Sequence, residues 1–238
     1  MSETAVPNGR GDLAFEVCVV SVDGARAALS AGADRVELCA SLEVGGITPS
    51  IGLTERTVEV AAGRLAVHVL ARPRGGDFVY SADEEEVMSR DIAAIKAVGA
   101  DGVVIGALTP SGTVDVPLTR RLIEVARPLS VTFHRAFDET ADPAAAFDDV
   151  LALGADRLLT SGGAPTALEG ADLIETLVAR SGEKIAVMAG SGVTERTVAE
   201  LRRRTGVREL HFSARAAAPD RPFSERIMQI MTAALASS

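Results

Sequence analysis

The sequence lacks several features that would point to particular classes of protein. Its 238 residues include no tryptophan and one tyrosine, and two cysteines, Cys18 and Cys39, cannot form a disulfide framework. A formal net charge of −9 argues against nucleic-acid binding, which requires a basic face. No apolar run reaches the ~18 residues of a membrane span. We therefore expect a cytoplasmic protein with neither nucleic-acid nor membrane partners.

The N-terminal stretch also lacks the order of a signal peptide, in which charged residues precede an apolar segment. Residues 1–12 read MSETAVPNGRGD and are polar, so they are predicted to form a disordered tail. Residues 13–238 show no shift in composition, which predicts one domain.

What the sequence has in abundance is apolar side chains, which make up 47% of its residues and are mostly Ala, Val, Leu and Ile. Such side chains suit buried parallel strands and the helices that cover them. Apolar runs of strand length alternate with amphipathic stretches, and strands are predicted at 14–19, 33–39, 65–71, 101–106, 129–134, 156–160, 185–189 and 208–213. Eight repeats favour a single-domain (β/α)8 TIM-type barrel over an open, doubly wound sheet, which is the alternative.

An internal repeat supports the barrel. The segments AGADRVELC, VGADGVVIG, LGADRLLTS and TGVRELHFS each join a helix end to a strand, at predicted strands two, four, six and eight. The chain therefore resembles four copies of a two-strand unit, as expected of a barrel built by duplication.

Two neighbouring strands carry polar side chains at alternate positions. Outward side chains of barrel strands pack on helices and are apolar, so Glu16 and Cys18 of strand one are predicted to point inward. Glu37 and Cys39 repeat the same Glu-x-Cys pattern on strand two. Because barrel interiors are usually filled by branched apolar residues, these groups are either paired in the core or functional, and for the two glutamates both interpretations stay open.

All three histidines fall on strands at this polar parity: His68, His134 and His211. Arg35 and Glu209 come early in their strands, which predicts buried ion pairs at the bottom of the barrel. His134, His211 and Arg72 lie at strand ends, where catalytic residues of this fold collect. His68 lies deeper and is equally consistent with a core histidine or a ligand.

The loops after strands three and five carry charged groups. RPRGGD places Arg72 and Arg74 before two glycines and Asp77, an arrangement that can present guanidinium groups to a carboxylate or phosphate. A solvated turn is the alternative. HRAFD brings together three groups that suit acid–base chemistry and anion binding: His134, Arg135 and Asp138.

The loops after strands six and seven are rich in small residues. Ser161 belongs to TSGG, and Gly190 and Gly192 to AGSGV, and each loop precedes a helical segment. Small residues before a helix expose backbone N–H groups that can hold an anion. Cationic groups gathered at one mouth of an acidic protein suggest a small anionic ligand.

The segments FEVCVVSVDGARAALSAGADRVELC, HVLARPRGGDFVYS, VTFHRAFD, LLTSGG, MAGSGV and ELHFSA resemble the CutC copper-homeostasis family, in order from about residue 14 to 214. The resemblance implies a TIM-type barrel, usually oligomeric, that is linked to copper handling and has been proposed to bind Cu(I). The family's Glu-x-Cys pairs, arginine loop, histidine loop and final histidine match these positions: Glu16, Cys18, Glu37, Cys39, Arg72, Arg74, Asp77, His134, Arg135, Asp138 and His211.

Two functions follow. Cys18 and Cys39 sit at matching offsets in adjacent parallel strands, so their thiolates could bind Cu(I), with His68 as a third ligand. Alternatively, the barrel is an isomerase or lyase acting on a small anionic or phosphorylated metabolite. In that case Glu16 or Glu37 is the base, and His134 beside Asp138 is the acid. A ligand sensor without catalysis is a third interpretation.

Overall fold

The protein is described by a computed structural model over residues 12–213 and 223–236. The tail expected at residues 1–12 lies outside the described residues except for Asp12. Within those ranges eight parallel strands are hydrogen-bonded in sequence order, and β1 pairs with β8 to close the barrel. The TIM-type barrel is confirmed, and the open sheet is excluded because neither β1 nor β8 has a free edge.

The strands and helices alternate. The strands are β1 Ala14–Val19, β2 Arg35–Leu38, β3 Ala66–Leu70, β4 Gly102–Ile105, β5 Ser130–Phe133, β6 Arg157–Thr160, β7 Ala186–Gly190 and β8 Glu209–Phe212. The helices are α1 Val22–Ala31, α2 Ile51–Ala61, α3 Ala82–Ala97, α4 Val116–Ala126, α5 Pro143–Leu153, α6 Ala171–Ser181, α7 Val198–Thr205 and α8 Phe223–Leu235. Short 3-10 helices follow β2 at Leu42–Val44 and β5 at Arg135–Glu139.

The side chains of the barrel strands alternate between the outer and inner faces of the barrel, as the sequence predicts. The apolar parity of β1 and β2 is buried in the main core, between strands and helices: Phe15, Val17, Val19, Val36 and Leu38. A separate small apolar cluster fills the inside of the barrel, and it consists of Cys18, Cys39, Leu70 and Val104. Below this cluster lie the buried charged side chains of Glu16 and Arg35.

Ion pairs fill the bottom of the barrel, as the positions of Arg35 and Glu209 predicted. The Arg35 guanidinium donates to Glu16 through Nε and to Glu209 Oε2 through Nη2 at 2.7 Å. Arg157 Nε contacts the same Glu209 oxygen at 2.9 Å. Since Arg35 and Glu16 are almost inaccessible to solvent, each depends on the other to remain charged.

The strand register corrects one expectation. The two Glu-x-Cys motifs are not level, because Glu16 pairs with Arg35 and Cys18 pairs with Glu37. Cys39 therefore lies one inward position nearer the top of the barrel than Cys18. This stagger follows from closure, which requires strands to tilt and the register to shift from one strand to the next.

Two helices begin at side-chain caps. Ser81 accepts a hydrogen bond from the Glu84 backbone N–H, and the Glu84 side chain accepts one in return from the Ser81 N–H. Asp142 caps α5 with Pro143 at its first position. In the described ranges, we find no helix with the length and apolarity that crossing a membrane requires.

Candidate functional site

A cavity of about 820 Å³ opens at the C-terminal ends of the strands. Eight of the residues predicted to form a site line it: Cys18, Glu37, Arg72, His134, Arg135, Asp138, Gly192 and His211. The cavity is where TIM-type barrels carry their active sites, because eight separate loops meet there on one rigid scaffold.

The floor of the cavity contains two carboxylates joined by a histidine. His211 Nδ1 lies 2.8 Å from Glu16 Oε1, and His211 Nε2 lies 3.8 Å from Glu37 Oε2. Burial alone lowers the pKa of His211, but Glu37 and Glu16 more than offset it, so the net shift is upward. Burial raises the pKa of Glu16, yet His211 and Arg35 hold it well below its usual range. The hydrogen bond between Glu16 and His211 therefore fixes the orientation of the imidazole ring.

Cys18 and Cys39 meet beside Glu37. Their Sγ atoms are 3.7 Å apart, and both cysteines are buried and free of disulfide. Among the described residues, two groups of donor atoms are compact enough to hold a metal ion: Cys18, Glu37 and Cys39, and Glu16, Glu37 and His211. The expected closeness of the two sulfurs is confirmed. His68 belongs to neither group, and its part as a third ligand stays a prediction.

His68 instead lies within the barrel wall. A Cβ atom added at Gly102 would lie 2.5 Å from His68 Nε2, so the ring packs directly on the glycine backbone. Its Nδ1 atom is buried and has no hydrogen-bond partner in the part of the chain that the structure describes. Burial is the main cause that lowers the pKa of His68 to about 3, so the ring is neutral.

The buried neutral His68 predicts a pH-dependent stability. The unfolded chain protonates this histidine below about pH 6.5 whereas the folded chain does not, so stability falls between about pH 6.5 and pH 3. At ~1.4 kcal/mol per pH unit, its contribution between pH 6.5 and pH 5 is about 2 kcal/mol. Urea unfolding at pH 7 and pH 5 should therefore show a smaller loss for His68→Gln than for the native chain. An equal loss in both proteins would contradict the assignment.

His134 lies in the wall of the cavity immediately after β5. Its Nδ1 accepts a hydrogen bond from the Ala136 backbone N–H at 3.1 Å, so the neutral ring carries its proton on Nε2. Burial, followed by the charge of Arg72, lowers the pKa of His134 to about 3. Gly106 leaves room for the ring, because a Cβ atom there would lie 2.4 Å from His134 Nδ1.

Arg72 is buried in the cavity wall. Its guanidinium donates to the carbonyls of Val44, Gly46 and Gly76 and lies 4.6 Å from the centre of the Phe78 ring. These contacts join the loop after β2 to the loop after β3. The guanidinium thus has three internal acceptors, and its role as an anion ligand stays a prediction.

Arg74 and Asp77 form part of the same loop but are absent from the cavity lining. Arg74 Nη2 donates to Asp77 Oδ1 at 3.0 Å, and Arg74 Nε donates to Glu84 Oε1 at 2.6 Å. The pair connects the loop to the start of α3. The role of Arg74 and Asp77 as ligands of an anion stays a prediction.

The loop after β6 binds an anion, and that anion is the protein's own Asp138. Its carboxylate accepts hydrogen bonds from the backbone N–H groups of Ser161 and Gly163 and from the hydroxyls of Thr160 and Ser161. Arg135 donates to Asp138 at 2.8 Å and to Ser161 Oγ at 3.0 Å. The backbone N–H groups predicted to bind an external anion are thus already hydrogen-bonded to Asp138.

The glycine-rich loop after β7 lies at the cavity mouth, but a helix does not follow it directly. Residues 191–197 separate β7 from α7, and residues 161–170 likewise separate β6 from α6. Gly190 packs against β8, since a Cβ atom there would lie 3.3 Å from His211 Cβ. Gly192, with φ +67°, lies against Thr166. A helix follows each loop, as expected, but it begins only after further turns.

Sequence reasoning missed several residues of the cavity. Arg226, from α8, lines it with a side chain that is 18% exposed, and its nearest carboxylate is Glu195 at 4.0 Å. Arg226 Nε is buried and has no partner within the described ranges. Phe78 and Thr194 also line the cavity. No local pattern marks Arg226, because it lies in a helix whose approach to the site depends on the closure of the barrel.

Comparison with known proteins agrees with this fold. The model of the CutC family matches residues 13–216, which include the strands that carry the cavity floor. The chain belongs to the CutC family. A CutC family protein of Xanthomonas campestris pv. campestris strain 8004 is 51% identical over 205 residues, covering 85% of this chain and 84% of that protein. One from Bacteroides fragilis strain YCH46 is 47% identical over 201 residues, covering 84% and 80%.

A solved CutC structure from Streptococcus agalactiae, named for copper homeostasis, has a TM-score of 0.80. It is 32% identical to this chain and covers 84% of this chain and 98% of its own. The resemblance to the CutC family seen in the sequence motifs is confirmed by all three comparisons.

Proposed function

We propose that this chain binds Cu(I) between Cys18 and Cys39. The observation that carries the proposal is the 3.7 Å separation of the two sulfurs at the edge of the cavity. Soft thiolate ligands select Cu(I), and the family's name and the name of the Streptococcus agalactiae protein support a relation to copper.

The geometry fits one ion with a small adjustment. With metal–sulfur bonds of ~2.3 Å, a linear site separates its two sulfurs by ~4.6 Å. The sulfurs therefore need to move apart by about 1 Å, which rotation of the side chains can supply. Cys18 lines the cavity, so an ion can reach the pair from solvent. Glu37 lies within the same donor group, but its hard oxygen ligands suit Cu(I) poorly.

A Cu(I) competition titration on the reduced chain tests this proposal. We expect one equivalent to bind, and the Cys18→Ser, Cys39→Ser variant to lose at least ~100-fold in affinity because it contains no thiol. Met188→Leu is the matched control, since it removes a buried sulfur from the interior outside the donor group. Equal affinity of the native chain and the double variant would remove the cysteine site.

A second function is supported by the cationic groups of the cavity mouth. We propose that the cavity binds a small anionic or phosphorylated metabolite as the substrate of an isomerase or lyase. Arg135 is half-exposed at the mouth but already pairs with Asp138 at 2.8 Å, whereas Arg226 lines the cavity with a Glu195 carboxylate no closer than 4.0 Å. In a chain with a net charge of −9, the Arg226 guanidinium is a local attraction for an anion.

Calorimetric titration with dihydroxyacetone phosphate and with uncharged dihydroxyacetone tests the second function. We expect only the phosphate ester to bind measurably, and Arg226→Met to weaken it at least ~10-fold. Arg121→Met is the control, because Arg121 pairs with Glu85 outside the cavity. Equal affinity for the charged and uncharged compounds would contradict an anion site.

Cytoplasmic location and assembly into a homo-oligomer are also proposed, from the sequence and the family resemblance. Sedimentation velocity measures the second of these directly.

A further inference from the structure

His134 lines the cavity with a neutral imidazole ring. Because Nδ1 accepts from the Ala136 N–H, the ring proton sits on Nε2. This Nε2 is buried and has no partner among the residues that the structure describes, although the ring lines the cavity. An unpaired buried donor costs free energy, and a ligand oxygen would satisfy it. Burial and Arg72 lower the pKa of His134 to about 3, which keeps the ring neutral at physiological pH.

Glu37 presents a carboxylate to the same cavity from the floor. Its Oε2 lies 3.8 Å from His211 Nε2, and His211 is oriented in turn by Glu16. Glu37 is on β2 and His134 follows β5, so the two groups face the enclosed volume from different sides of the barrel. A molecule in the cavity would therefore lie between a carboxylate and a neutral N–H donor.

We propose that this cavity catalyses proton transfer at the carbon next to the carbonyl of a small, anionic hydroxy-carbonyl compound, with Glu37 as base and His134 as donor to the carbonyl oxygen. The inference rests on the second function above. A neutral imidazole paired with a glutamate is suited to this chemistry, because the imidazole stabilises charge that develops on oxygen.

The proposed step balances without a further reactant. Glu37 takes a proton from the carbon, the C–H electron pair forms a carbon–carbon double bond, and the carbonyl pair moves onto oxygen. His134 Nε2–H hydrogen-bonds that oxygen. Glu37 then returns the proton to the former carbonyl carbon, while the hydroxyl proton on the carbon that was deprotonated moves to the former carbonyl oxygen. The product is the isomer in which carbonyl and hydroxyl have exchanged places.

The test is exchange of carbon-bound hydrogen in deuterated water, followed by proton NMR. The probes are dihydroxyacetone phosphate, D-glyceraldehyde 3-phosphate and D-ribulose 5-phosphate, each with the full native chain. We expect exchange of at least one probe, and a loss of at least ~100-fold in both Glu37→Gln and His134→Gln. Glu139→Gln is the matched control, because Glu139 is an exposed carboxylate at the mouth of the same cavity.

The outcomes separate this inference from the function on which it rests. A probe that binds calorimetrically but shows no exchange overturns the proton-transfer step and leaves anion binding in place. If no probe binds or exchanges, both proposals fail. Exchange that persists in Glu37→Gln overturns the assignment of the base. Nitrogen-15 NMR of the native chain should show His134 neutral with its proton on Nε2 from pH 5 to pH 8, and a proton on Nδ1 would overturn its role.

Discussion

Replacing Arg35 by methionine should lower the free energy of unfolding by about 3–5 kcal/mol. Arg35 is the cation that both Glu16 and Glu209 contact at the bottom of the barrel. Glu16 is completely buried, so removing Arg35 leaves a carboxylate in a low-dielectric interior with His211 as its remaining hydrogen-bond partner. Urea unfolding followed by circular dichroism measures the change.

Two comparisons make this result specific. Arg208→Met removes an exposed ion pair with Asp12 and should cost less than about 1 kcal/mol. Adding Glu16→Gln and Glu209→Gln to Arg35→Met should recover part of the lost stability, because the carboxylates then need no cation. If Arg35→Met is no more harmful than Arg208→Met, the ion network does not carry the stability ascribed to it.

Gly162→Ala should destabilise the protein by at least about 3 kcal/mol more than Gly163→Ala. Both glycines have left-handed backbone, with φ +71° and +68°, so both substitutions incur the ~1 kcal/mol cost of a side chain there. An added Cβ at Gly162 would lie 2.2 Å from the Gly170 carbonyl oxygen, whereas one at Gly163 meets nothing within 4 Å. The difference between the two variants therefore measures the backbone contact alone.

A third variant checks the same contact from its other side. Gly170 has no left-handed backbone, yet a Cβ there would lie 2.0 Å from the Ser161 carbonyl oxygen. Gly170→Ala should thus be as harmful as Gly162→Ala without any cost from φ. Thermal unfolding of the three variants gives the order, and similar melting temperatures for all three would contradict the close packing of this loop. Since Ser161 holds Asp138, Gly162→Ala should also disturb the cavity mouth.

The sequence predicted the inward direction of the site residues that lie on strands, because side chains alternate between two faces along a strand. Glu16, Cys18, Glu37 and His211 were placed inside the barrel because their neighbours in the strands are apolar and pack outward. The ion pair of Arg35 and Glu209 followed from their early positions in β2 and β8. Both inferences succeed because a parallel strand in a closed barrel leaves each side chain two directions only.

The contacts of the loop residues were predicted less well, because charged side chains in one loop can pair with groups from several other loops. The Arg72 guanidinium contacts carbonyls contributed by the loop after β2, and Asp138 accepts hydrogen bonds from the loop after β6. These partners come from other β/α units and are distant in sequence. A spacing rule confined to one loop cannot find them, nor could it find Arg226 on α8.

The sequence by itself determined the barrel, its eight units, the polar parity of the strands and membership of the CutC family. Each of these depends on local periodicity or on motifs, both of which are properties of the chain order. Only the tertiary structure decided the stagger of the two Glu-x-Cys motifs and the internal use of Arg72 and Asp138. Those features arise where separate strands and loops meet, and the register and closure of the barrel set which groups come together there.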